Sequence, residues 1–73
     1  MKDLETWNRN YAKKTLWAFL DGKKNLNWLI GTIRYSRVRG KRLAEIFESS
    51  KTYGNPSRYQ EALSACREQG WIE

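Results

Sequence analysis

The chain has 73 residues, 14 Lys or Arg against 8 Asp or Glu, a net charge of +6 and a pI of about 9.8. That length allows one domain, 1–73, with a small core and a net stability of the order of a few kcal/mol. The absence of histidine removes the commonest general base, and one Cys rules out both an internal disulfide and the usual zinc ligand sets.

Other classes fall away on similar grounds. The carboxylates are scattered and mostly lie beside basic residues, so no catalytic pair stands out. Gly22-Lys23-Lys24 and Gly40-Lys41-Arg42 lack the earlier glycine and the following Ser/Thr of a phosphate-binding loop. No enzyme, cofactor, metal or small-molecule substrate is expected. Asp3 and Glu5 occupy the place of a signal peptide's basic and apolar regions. The longest wholly apolar run, Trp28-Leu29-Ile30, is far too short to span a membrane.

In chain order, Leu4, Trp7 and Tyr11, then Ala12, Leu16, Phe19 and Leu20, recur at helical spacing. They predict a helix from about Asp3, a possible cap, to Phe19, with Glu5 placed against its positive end. A hairpin over residues 15–33 competes with it, because 15–20 is rich in strand formers and Asp21-Gly22 is a strong turn signal. Against the hairpin, Leu26, Leu29, Ile30 and Ile33 form a helical stripe after a candidate Asn25 cap. Arg34 to Gly40 reads as a basic connector, and Leu43, Ile46 and Phe47 predict a short helix over about 41–50, with Arg42 and Glu45 paired across one turn. The last helix, 56–69, has the clearest punctuation: Asn55 as N-cap, Pro56 at the first position, Gly70 as left-handed C′ residue. Its stripe is Tyr59, Ala62, Leu63 and Cys66, with Cys66 expected to be a buried thiol.

Positive charge is concentrated ahead of that helix. Arg34 to Arg42 holds five cations and no acid, whereas Leu43 to Glu73 has a net charge of −2. Such a balance favours an acidic partner, DNA or RNA first among them. Arg34, Arg37, Arg39, Lys41 and Arg42 are the leading phosphate contacts, since guanidinium groups grip phosphates bidentately. Lys13 and Lys14 are secondary candidates.

Pro56-Ser57-Arg58, Ala62-Leu63 and Arg67-Glu68-Gln69-Gly70-Trp71-Ile72-Glu73 resemble the recognition helix and first wing residue of winged helix-turn-helix DNA-binding proteins. Arg42-Leu43-Ala44-Glu45-Ile46-Phe47 is similar to that family's second helix. The resemblance covers 41–73, with a longer turn over 49–54 and a truncated wing. It implies a mainly α, helix-turn-helix fold, transcription regulation, and Ser57 and Arg58 as candidate readers of DNA. Glu61 and Glu68 oppose Arg58 and Arg67, so the terminal helix is electrostatically weak as a reader; the plain alternative has Arg58 pairing Glu61. Size, charge and four Trp residues also resemble phage-encoded regulators that bind the acidic surface of host RNA polymerase. In that reading exposed Trp beside Arg or Lys forms the contact. Both readings place the protein in the cytoplasm of a bacterium or an infected host.

Overall fold

A computed structural model describes the chain from Leu4 to Ile72, with side chains from Arg9 onward. It contains four helices: α1 Leu4–Leu20, α2 Leu26–Ser36, α3 Gly40–Ser49 and α4 Pro56–Glu68. No strand occurs among the described residues, so the hairpin over 15–33 is not formed. The expected Asp3 cap lies outside the described residues, as do the side chains of Leu4, Glu5 and Trp7.

α1 is the central element and packs against the other three helices. Ala12, Leu16, Phe19 and Leu20 are buried at spacings that place them on one face. Each fully buried Leu or Phe on such a face contributes about 1.5–3 kcal/mol of transfer free energy. Asp21-Gly22, the hairpin's turn signal, terminates this helix instead. Gly22 takes φ +83°. Its N–H donates to the Phe19 carbonyl at 3.0 Å, and that of Lys23 donates to the Ala18 carbonyl at 3.1 Å. These bonds close a Schellman cap that few residues other than glycine could adopt.

α2 begins as expected, with Asn25 Oδ1 accepting the Trp28 N–H at 2.8 Å. It ends later than expected, since Arg34, Tyr35 and Ser36 are helical where a connector was predicted. Ser36 is buried without an orphaned hydroxyl, because Oγ donates to the Ile33 carbonyl at 2.6 Å. Arg37, at φ +62°, then turns the chain. α3 buries Leu43, Ile46 and Phe47.

α4 follows its sequence punctuation closely. Asn55 Oδ1 accepts from Ser57 N at 2.8 Å and Arg58 N at 3.4 Å. At the other end Gly70 has φ +79° and Trp71 N–H donates to the Cys66 carbonyl at 3.0 Å. Tyr59, Ala62 and Cys66 are buried and Leu63 is half-buried. Tyr59 Oη donates to the Phe47 carbonyl at 3.0 Å, and the two rings meet edge to face, tying α4 to α3.

The loop 50–55 between α3 and α4 is fixed to the end of α1. Trp17 Nε1 donates to Ser50 Oγ at 2.7 Å, Trp17 stacks on Tyr53 at 4.3 Å, and Tyr53 Oη donates to Asp21 Oδ2 at 2.9 Å. Gly54, with φ +67°, lies so close that an added Cβ would sit 2.7 Å from the Leu20 carbonyl oxygen.

Candidate functional site

The basic run folds as a tight corner, with residues 37–39 joining α2 to α3. Val38 is buried there, and Arg39 turns inward beside it. Arg39 Nη1 donates to the Ile33 carbonyl at 3.1 Å and the Val38 carbonyl at 2.9 Å, while Nη2 donates to the Arg34 carbonyl at 3.2 Å. Its guanidinium thus adds donors to two carbonyls in the last turns of α2, of which Ile33 O also accepts from Ser36 Oγ and Arg34 O from Arg37 N, and places positive charge at the negative helix terminus. The same group lies over the Trp71 ring at 4.3 Å. Arg34 approaches that ring at 5.7 Å and bonds Gln69 Oε1 at 3.3 Å. Gly40 N–H donates to the Trp71 carbonyl at 2.6 Å. Trp71 therefore locks the end of α4 onto the corner. Burial first, and Arg34 second, hold the Arg39 guanidinium below its usual pKa, the direction expected for a cation drawn into the fold.

Around this anchor Arg34, Arg37, Lys41 and Arg42 are exposed. No carboxylate occurs in the sequence from Gly22 to Ala44. The positive surface continues onto α1, where Arg9 and Lys13 line a shallow depression with Arg42 and Glu45. Glu45 pairs there with Arg9 at 3.9 Å. The expected Arg42–Glu45 pair is not among the described ion pairs. Lys13 also lies over Trp17 at 5.1 Å, and Lys14 is exposed on the outer face of α1.

Ser57 and Arg58 stand at the opposite end of α4. At 1.5 Å per residue, Ser57 is about 18 Å along the helix from Gln69, which touches the corner. Arg58 Nη1 donates to the Phe19 carbonyl at 3.0 Å and the Lys24 carbonyl at 3.1 Å, and its guanidinium covers the Phe19 ring at 4.6 Å. Its partners come from α1 and the following turn; the Glu61 pairing weighed from sequence is not among the described ion pairs. The outward residues of α4, Ser57, Gln60, Glu61, Ser64, Arg67 and Glu68, carry both signs of charge. The fold thus separates the basic run from the two candidate readers.

Three features escaped sequence reasoning. Arg39 is the anchor of the corner, although nothing local distinguishes it from Arg37. Tyr35 is 72% exposed, although its place in a predicted connector hid its helical register. Trp17, Trp28 and Trp71 are each half-buried, with a Lys or Arg over the ring, so none is a bare exposed indole. Cys66 is buried as expected, and burial pushes its thiol pKa up to about 11, with Arg39 pulling weakly the other way. Among the described residues no group of His, Cys, Asp or Glu could hold a metal ion, and no helix is long and apolar enough to cross a membrane. Comparison with protein-family models, curated proteins and solved structures gives no match.

Proposed function

We propose that the protein is a small transcription regulator that binds nucleic acid through the α2–α3 corner. The observation that carries this reading is the projection of Arg34, Arg37, Lys41 and Arg42 from a joint that Arg39 and Trp71 hold rigid. A fixed cationic corner meets phosphates without first ordering a loop, which saves the ordering entropy a floppy basic tail would lose on binding. α4 acts in this reading as scaffold, since its mixed charge does not favour insertion beside phosphates. In this reading Ser57, exposed at the start of α4, is a peripheral contact. Arg58 serves mainly to close α1. The test is a salt titration of oligonucleotide affinity. Affinity should fall steeply with salt, and Arg37→Ala with Lys41→Ala should lower the slope by about 0.7–0.9 per lost phosphate contact. A slope unchanged by both substitutions contradicts the reading.

The alternative partner is an acidic protein surface such as that of RNA polymerase. Tyr35 favours it, because an exposed aromatic beside Arg34 and Arg37 also resembles a protein-binding hot spot. Polymerase recovered from a bacterial lysate after nuclease treatment would support this partner. Loss of polymerase on nuclease treatment would assign the interaction to nucleic acid.

A further inference from the structure

Beside the basic corner, α1 and α2 share an aromatic strip. Tyr35 is the large hydrophobic side chain left mainly exposed among the described residues. Its ring is held edge-on to Tyr11 of α1, centroids 5.9 Å apart at 65°, so it is braced rather than swinging freely. One and two turns back on the same flank of α2 lie Gly31 and Trp28. An added Cβ at Gly31 would meet nothing within 4 Å, which leaves an open gap between the two aromatic residues. Trp28 is half-buried, with Lys24 Nζ 5.2 Å from its ring. Lys14 stands one turn from Tyr11 on the outer face of α1, and Arg34 and Arg37 flank Tyr35 in sequence. Among residues 9–36, whose side chains are described, the one carboxylate is Asp21, which accepts the Tyr53 hydroxyl at the other end of α1.

We propose that this strip binds an unpaired segment of nucleic acid, with a base stacked on Tyr35 and the backbone held by Lys14, Arg34 and Arg37. The inference rests on the nucleic-acid reading above and adds the class of strand. Cations interleaved with braced aromatic rings suit a single strand, whose bases expose their faces. In a duplex those faces are hidden within the stack, and Tyr35 would meet only base edges, sugar and phosphate. Stacking depends little on sequence or salt, whereas the cations supply the salt-dependent part of the affinity.

The test is fluorescence anisotropy of a labelled 12-mer, single-stranded and as its duplex, against the wild type, Tyr35→Ala and Tyr35→Phe. Circular dichroism verifies that each variant is folded. The single strand should bind more tightly than the duplex. Tyr35→Ala should weaken single-strand binding about 5- to 150-fold with the salt slope unchanged, while Tyr35→Phe should stay within about twofold because it keeps the ring. If salt-dependent binding persists and Tyr35→Ala leaves single-strand affinity unaltered, the stacking inference fails and the cationic corner stands. If neither strand form binds in a salt-dependent way, both fail, and the acidic-protein partner becomes the better account.

Discussion

Arg37 and Arg39 are two residues apart with the same side chain, and the structure leaves Arg37 exposed while Arg39 turns inward. Replacing Arg39 by Ala removes hydrogen bonds to the carbonyls of Ile33, Arg34 and Val38 and the contact with the Trp71 ring. A charge-assisted hydrogen bond contributes about 1.5–3 kcal/mol when sequestered. Arg39 is only half-buried and water can replace it at these carbonyls, so about 0.5–1 kcal/mol for each is the better figure. The cation–π contact adds about 0.5–1 kcal/mol, and relief of repulsion from Arg34 returns a few tenths. The net loss is about 2–3.5 kcal/mol from a domain whose size suggests about 4–11 kcal/mol in total. Thermal unfolding followed by circular dichroism should show Tm lower by about 8–28 °C. Arg39→Lys should recover less than half of this, because one ammonium cannot span the fork of carbonyls. Arg37→Ala should leave Tm nearly unchanged and lower the salt slope of nucleic-acid binding by about 0.7–0.9. If Arg39→Ala unfolds within about 0.5 kcal/mol of the wild type and lowers the slope as Arg37→Ala does, the anchor assignment is wrong.

Gly54→Ala should destabilise by about 2–4 kcal/mol in urea unfolding, since a Cβ there meets Leu20 backbone at 2.7 Å in a left-handed conformation. Gly22→Ala, with nothing nearer than 4.0 Å, should cost only about 1 kcal/mol; equal losses would refute the close-approach argument. Trp17→Phe should cost about 1–2 kcal/mol through the bond to buried Ser50, and a loss below about 0.5 kcal/mol would mean that water replaces the indole freely. Cys66 governs an alkaline limb. Its thiol rises from 9.0 to about 11 on folding, so the folded state keeps a proton that the unfolded state releases. The associated stability is present below pH 9 and is lost as pH climbs toward 11. The gap sets a ceiling of about 2.7 kcal/mol. The stability difference between wild type and Cys66→Ala should shrink over that interval; a constant difference would remove the thiol from the explanation.

What could be read from sequence was what local chemistry decides. α4 was legible in full because Asn55, Pro56 and Gly70 each have one favoured position at a helix end, and its apolar stripe agrees with them. Residues 15–33 were ambiguous because Asp21-Gly22 serves equally as a hairpin turn and as a helix C-cap. The packing of Leu16, Phe19 and Leu20 under the other helices resolves it. The extension of α2 through Ser36 was invisible, since five neighbouring cations argue against a helix until Arg39 is seen bonding its final carbonyls. Arg58 was misleading for a related reason: Glu61 is its nearest partner in sequence, while its actual acceptors, the carbonyls of Phe19 and Lys24, come from the end of α1 and the turn after it. The basic run itself was correctly located as a charge cluster. Its division into an anchor and exposed cations depends on Trp71, a partner some thirty residues on that no local pattern connects to it.

The claim that the corner, rather than α4, meets nucleic acid is tested most directly by amide chemical-shift mapping during titration with an oligonucleotide. The shifts should concentrate at Arg34, Tyr35, Arg37, Lys41 and Arg42, spread to Lys13 and Lys14, and leave Gln60, Ser64 and Arg67 in place. Shifts centred on Ser57 to Arg67, with the corner unmoved, would restore α4 as the reading element and contradict the account.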